Sequence, residues 1–131
     1  MKARITILGS TGSVGLNTLE VIRRNPKLFK VAGLSAGSNV DLLDAQIREF
    51  HPEAVYLRDS RGAALIRSRH PKLNVFSEHE KIHVFSAHLD SDILMAASAG
   101  TSALLSVLDA IKKGKRVALA NKEILVMAGS L

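Results

Sequence analysis

The chain has 131 residues, no cysteine, and 18 Lys and Arg against 12 Asp and Glu, for a formal net charge of +6. That length suits one domain with a sizeable core, and 47% apolar with 23% charged residues excludes disorder. Without cysteine there is no disulfide framework, no thiolate metal site and no thiol nucleophile. The longest uncharged run lies between Asp92 and Asp109. It is shorter than the ~20 apolar residues of a membrane span, so no membrane partner is expected. An apolar strand pattern begins within a few residues of Met1 and leaves no room for a leader peptide; the expected location is cytoplasmic. Nucleic acid is not an expected partner either. Aromatics are 4%, and the densest basic group, Lys112, Lys113, Lys115 and Arg116, reads as a helix end, where cations suit the dipole and Gly114 stands at the cap.

Strand-like and helix-like segments alternate along the chain. Arg4–Leu8 is a short apolar strand. Ser13–Arg24 carries Val14, Leu19 and Ile22 at helical spacing and stops before Pro26. Lys30–Ala36 is a second strand. Val40–Phe50 repeats at Leu43, Ile47 and Phe50, helical spacing, ahead of Pro52. Ala54–Leu57 is a third strand, and Ser60–Arg69 a helix ending near Pro71. The stretch Asn74–Leu89 holds one or two short strands and reads more like strand than helix. Ile93–Ala97 is a buried strand, Thr101–Lys113 a helix repeating at Leu104, Leu108 and Ile111, and Arg116–Leu119 another strand, with a further helix from Lys122. Such alternation implies parallel βαβ units with right-handed crossovers. Strands without polar alternation suit a parallel sheet covered on both faces. The expected fold is a doubly wound α/β (Rossmann-like) domain over residues 1–131. The apolar helical ending, Ile124 to Leu131, leads us to expect the first domain of something longer.

The first strand runs into Gly9-Ser10-Thr11-Gly12-Ser13-Val14-Gly15, which opens the first helix. Glycines at such a junction make a tight turn, admit a pyrophosphate to the backbone, and let helix and strand pack closely. The phosphates then meet unpaired N–H groups at a helix N-terminus. Ser10, Thr11 and Ser13 add hydroxyl donors. No Walker G-K-[ST] follows. The second strand ends Gly33-Leu34-Ser35-Ala36-Gly37-Ser38-Asn39, with no carboxylate to hold a ribose 2′-OH. That favours NADP over NAD. No Lys or Arg lies there either, which leaves Ser38, Asn39 and backbone N–H groups to bind. Asp41, the nearest acid, reads as a first-turn residue favoured by the helix dipole.

Ala120-Asn121-Lys122-Glu123 follows the strand Arg116–Leu119, and loops at the carboxyl ends of parallel strands line the ligand crevice. Asn121 suits an N-cap and Glu123 a first turn. Lys122 opposes the dipole. It is either a substrate contact for an anionic or carbonyl oxygen or an exposed lysine; sequence physics leaves the two even. Of the five histidines, His51, His70, His79, His83 and His88, the pair His79 and His83 stands four apart, which on a helix would share one face, but that region reads more like strand than helix and no second His, Asp or Glu pair sits at zinc-site spacing; no G-x-S-x-G elbow is present. Asp90 and Asp92 read as a polar turn before Ile93–Ala97. No metal site is expected from these residues.

Taken in order, Gly9-Ser-Thr-Gly-Ser-Val-Gly15, Ala36-Gly37-Ser38-Asn39-Val40, and Ala120-Asn-Lys-Glu123 with Leu125, Val126 and Gly129 resemble the N-terminal NADPH-binding domain of the 1-deoxy-D-xylulose 5-phosphate reductoisomerase family. The resemblance spans essentially the whole chain, and A-N-K-E is its most specific part. It implies an NADPH-dependent oxidoreductase of non-mevalonate isoprenoid biosynthesis that yields 2-C-methyl-D-erythritol 4-phosphate, uses Mg or Mn, and is usually a homodimer. By motif, Thr11, Gly12, Ser13 and Val14 resemble the pyrophosphate turn. Gly37, Ser38 and Asn39 resemble the adenosine-phosphate pocket, Asn121 and Glu123 resemble contacts near the nicotinamide, and Lys122 resembles a substrate contact. Ser38 departs from the pattern, since many members carry Lys or Arg there. The family's metal-binding acidic segment and later domains are not in this chain, so the resemblance implies a cofactor-binding piece inactive by itself. Two other readings stay open: another NADP-dependent oxidoreductase, such as a semialdehyde dehydrogenase, and a stand-alone dinucleotide-sensing module.

Overall fold

Apolar side chains on both faces of every long strand require cover on both sides, and alternating helices supply it. The computed structural model describes residues 2–78, 82–97 and 104–119. Within them the order is β1 (Ala3–Leu8), α1 (Ser13–Arg24), β2 (Phe29–Ala36), α2 (Val40–Phe50), β3 (Ala54–Leu57), α3 (Ser60–Arg69), β4 (Asn74–Phe76), α4 (Ile82–His88), β5 (Ile93–Ala96), α5 (Leu104–Lys112) and β6 (Arg116–Leu119). The strands form one parallel sheet, ordered β4-β3-β2-β1-β5-β6. The chain steps outward from β1 through β2, β3 and β4, then returns to the other side of β1. This reversal is the switch point at which doubly wound sheets open a crevice.

Successive strand residues point to opposite faces, and here both faces are dry. Ile5, Ile7, Val55 and Leu57 join Leu19 and Ile22 of α1, Leu43 and Ile47 of α2, and Ala63 and Ile66 of α3 in one core. Leu8, Ala54, Tyr56, Leu94 and Ala96 pack the other way, on Phe85, Leu89, Val107 and Ala110. Each buried Leu or Ile contributes roughly 1.5–3 kcal/mol, which outweighs the weak propensities of such short segments.

The stretch 74–89 holds one short strand, as expected, but its second half is helix where strand was expected. Among the described residues of 74–89, Asn74–Phe76 is the one strand, β4, and Ile82–His88 is helical. Val84 and Phe85 favour strands locally, but Ile82, Phe85 and Leu89 also fall at helical spacing. The Phe85 ring is fully buried, with centroids 5.8 Å from Phe76 and 6.2 Å from Tyr56. Burial of that ring decides the conformation. The basic run behaves as expected: Gly114, at φ +72°, follows α5, its N–H donates to the Ile111 carbonyl at 3.1 Å, and the Lys115 N–H donates to Ala110 at 3.0 Å, a Schellman cap. Asp90 and Asp92 serve the turn before β5. The Arg4 N–H donates to Asp92 Oδ2 at 2.8 Å, and Lys115 Nζ lies 3.2 Å from Asp90 Oδ1.

The buried Asp44 of α2 sits among basic side chains. His70 Nε2 is 2.7 Å, Arg48 Nη2 2.5 Å and Arg69 Nη1 3.5 Å from its carboxylate. The His70 hydrogen bond, followed by the charges of Arg48 and Arg69, outweighs burial and holds the Asp44 carboxyl below the usual carboxylate range. A depressed folded pKa adds stability that is present above the unfolded value, about 4, and is lost as pH falls through the folded value. Asp44→Asn is expected to cost about 1 kcal/mol at pH 7, a figure reduced for the solvent-screened arginines. It should also flatten the fall of melting temperature below about pH 4. Melting curves across that range check it; an acid limb unchanged from wild type contradicts the assignment.

Candidate functional site

The carboxyl ends of the strands define the functional edge, and the turn from β1 to α1 is its centre. Gly9 adopts φ +90°, a left-handed geometry costly for residues with a Cβ. Its N–H points at the end of β2 and is shared between the Ser35 carbonyl (3.1 Å) and Ser35 Oγ (3.0 Å), while the Ser10 N–H donates to the same carbonyl at 2.8 Å. The turn is thereby fastened to the neighbouring strand. Gly15, buried one helical turn later, seats α1 on the loop: a Cβ there would lie 2.2 Å from the Gly9 oxygen.

Helix α1 begins without side-chain help. Its N-cap is Gly12, which makes no side-chain cap bond, and no acid occupies its first turn. The first intrahelical bond runs from the Leu16 N–H to the Gly12 carbonyl at 2.9 Å. The amides of Ser13, Val14 and Gly15 have no partner among the described residues, as the first turn of a helix dictates. Gly12, Ser13 and Val14 are exposed. A Cβ on Gly12 would have as its nearest neighbour the Gly9 oxygen at 3.8 Å, so the surface before these amides is open. Open N–H groups at the positive end of a dipole suit an anion. By contrast, Asn39 caps α2 by accepting from the Leu42 N–H at 3.2 Å, and Asp59 caps α3 by accepting from the Arg61 N–H at 3.3 Å.

Thr11, Gly12, Ser13 and Val14 thus share one rim of the sheet with Gly37, Ser38 and Asn39, the latter two exposed. Ser10 is placed differently from the expectation that its hydroxyl faces a ligand. It is fully buried, and its Oγ donates to Gln46 Oε1 at 2.8 Å. Gln46 Nε2 in turn donates to the Ser10 carbonyl at 2.9 Å. Gln46, on α2, clamps the turn from beneath by the hydroxyl and the carbonyl of Ser10. Motif reading does not single out Gln46, although a polar residue three after Leu43 and one before Ile47, on the apolar stripe, signals a buried hydrogen bond. Asp41 lies exposed in the first turn of α2, as expected.

Strand β6 ends at Leu119, in register with Ala96 of β5, which itself pairs with Leu8. Asn121, Lys122 and Glu123 follow in sequence and lie outside the described residues, as does His79. Among the described residues no group of three or more His, Cys, Asp or Glu is placed to hold a metal ion, and no helix is long and apolar enough to cross a membrane. An open cleft of about 660 Å³ lined by Arg48, His51, Glu53, Arg69 and His70 lies at the opposite edge, where parallel strands begin, and several of its charges are committed to Asp44.

A parallel sheet reversing at β1, with a glycine turn delivering free amides at that reversal, defines a Rossmann-like domain. A family profile for 1-deoxy-D-xylulose 5-phosphate reductoisomerase matches residues 5–129, and the chain belongs to that family. The reductoisomerase of Thermodesulfovibrio yellowstonii is 41% identical over 128 residues, covering 98% of this chain and 34% of that protein. That of Pelodictyon phaeoclathratiforme is 44% identical over 131 residues, covering 97% and 34%. The chain therefore spans about a third of the length of these relatives. A crystal structure of DOX-P reductoisomerase in complex with NADPH, fosmidomycin and magnesium superposes with TM-score 0.88 at 35% identity, over 98% of this chain and 32% of that one. The Zymomonas mobilis enzyme in complex with NADPH gives TM-score 0.88 at 32% identity, over 99% and 35%. Membership of this family decides against the semialdehyde-dehydrogenase type of oxidoreductase.

Proposed function

We propose that this chain is the NADPH-holding portion of a 1-deoxy-D-xylulose 5-phosphate reductoisomerase. The observation that carries the reading is the uncapped start of α1, whose open amides at Ser13, Val14 and Gly15 form a seat for a pyrophosphate. The residues fit the group: Gly12 keeps the approach clear, the Thr11 and Ser13 hydroxyls add donors, and Gln46 holds Ser10 so that the turn does not have to reorganise on binding. Ser10 thus acts as an anchor of the turn. Gly37, Ser38 and Asn39 receive the adenosine ribose, with Asn39 Nδ2 free to donate because Oδ1 is the capping atom. The absence of a carboxylate at the end of β2 leaves a 2′-phosphate unopposed.

When bound, NADPH supplies the hydride that reduces the rearranged aldehyde. This chain's residues bind and orient the coenzyme along the rim. Asn121 and Glu123 contact it near the nicotinamide, and Lys122 holds an oxygen of the sugar phosphate. Support comes from β6, whose carboxyl end lies on the rim with β1 and β5. A divalent metal, Mg or Mn, belongs to the whole enzyme, as do the sugar-phosphate partner, a homodimeric state and a cytoplasmic location. No described residues assemble a metal site. Hydride transfer requires a substrate carbonyl clamped beside the coenzyme, so the 131-residue chain is expected to bind NADPH and not to turn over substrate. Titration with NADPH and NADH, read by nucleotide fluorescence, tests this. Tighter NADH binding, no binding of either by folded protein, or authentic turnover would each overturn it.

A further inference from the structure

An NADP site must meet a dianionic 2′-phosphate with positive charge, and the segment that ends β2 supplies none: Gly37-Ser38-Asn39 carries no Lys or Arg. The next strand does. Leu57 of β3 pairs with Ala36 of β2, the Arg58 N–H donates to the Ala36 carbonyl at 3.1 Å, and the Asp59 N–H donates to the Gly37 carbonyl at 2.9 Å. These bonds hold the start of the β3–α3 connection against the end of β2. The Arg58 side chain crosses the gap. Its Nη2 lies 3.6 Å, and its guanidinium carbon 4.0 Å, from the position a Cβ on Gly37 would occupy. The guanidinium thus lies in van der Waals reach of the Gly37 backbone at the end of β2.

The charge is also available. Arg58 is exposed and makes no ion pair among the described residues. Arg4, Arg23, Arg24, Arg48 and Arg69 each have a carboxylate partner. The neighbouring acid, Asp59, is turned into the start of α3, where Oδ1 accepts from the Arg61 N–H and Oδ2 lies 3.3 Å from a Cβ position on Gly62. A planar guanidinium binds phosphate oxygens in pairs.

We propose that Arg58 is the specificity-determining cation for the adenosine 2′-phosphate, reaching across from β3 to a pocket whose own segment has none. This rests on the cofactor reading above. Arg58→Gln in the 131-residue chain should weaken NADPH binding about 10-fold or more while leaving NADH binding unchanged, so that the preference collapses. Arg58→Lys should retain most of it. Adding Ser38→Lys to Arg58→Gln should restore NADPH binding by returning a cation to the same phosphate, a rescue that a merely structural role for Arg58 would not show. Equal weakening of both nucleotides, or no weakening, overturns the assignment of Arg58 and leaves the cofactor reading standing. Wild-type protein that is folded but binds neither nucleotide overturns the cofactor reading itself, and this one with it. Matching melting temperatures for the variants confirm that each comparison is between folded proteins.

Discussion

Replacing Gly15 with alanine is expected to loosen the fold and abolish nucleotide binding in one step. The added Cβ would lie 2.2 Å from the Gly9 oxygen, 2.7 Å from Ser10 Cα and 2.8 Å from the Ser10 carbonyl carbon. All three are backbone atoms, so no flexible side chain can step aside. Either α1 withdraws from β1 or the turn leaves Ser35, and either movement disperses the open amides of Ser13, Val14 and Gly15. Overpacking of this kind costs about 3 kcal/mol, a fall of roughly 10 °C in melting temperature for a chain this size. Gly12→Ala is the informative contrast. Its Cβ would meet only the Gly9 oxygen, at 3.8 Å, with φ at −83°, a conformation open to any residue. It should melt close to wild type yet bind NADPH more weakly, because the new methyl stands on the ligand's side of the turn. A Gly15→Ala protein that melts with wild type contradicts the packing argument. A Gly12→Ala protein with unchanged affinity contradicts the proposed position of the pyrophosphate.

The two glycines show why the centre of the site was legible in the sequence. A β-turn-α junction is a local structure, set within about seven consecutive residues by steric rules that act on neighbours, so Gly9 to Gly15 could be read from their order. The alternation of strands and helices was legible for a similar reason, since a doubly covered sheet imposes unbroken apolar strands and helices of regular stripe. Legibility failed where distance along the chain entered. Ile82–His88 has both strand-favouring residues and helical spacing, and only the burial of Phe85 beside Tyr56 and Phe76 separates the two. Arg58 stands 21 positions after Gly37 in sequence, and its approach depends on β3 pairing with β2. Local rules assign Ser10 a ligand-donor role, because serine in a glycine-rich β–α turn commonly has one. Its inward rotation follows from Gln46, 36 residues away, which no local rule connects to it.

That connection carries the second large prediction. Gln46 is 5% exposed and Ser10 fully buried, so neither can turn to water if its partner is lost. Gln46→Leu keeps the approximate volume but leaves the Ser10 hydroxyl and carbonyl without partners. A buried polar group stripped of its partner costs about 1–3 kcal/mol, and two are stripped here, so melting should fall by several degrees, on the order of 5–10 °C. The functional loss should be larger than the stability loss suggests. With the clamp gone the turn samples more conformations, and the binding free energy must then include the ordering of the loop. NADPH affinity is expected to drop about 10-fold or more. Gln46→Glu separates the two ends of the clamp, because it still accepts from Ser10 Oγ but has no N–H for the Ser10 carbonyl. It also places a negative charge under the phosphate turn, so its affinity loss should shrink as added salt screens the repulsion. Ser10→Ala combined with Gln46→Leu should cost less than the sum of the single changes, since one unpaired group is removed along with its former partner. Strict additivity in that cycle, measured by denaturant unfolding, would mean that Gln46 stabilises α2 without gripping the turn, and the preorganisation of the nucleotide seat would need another source.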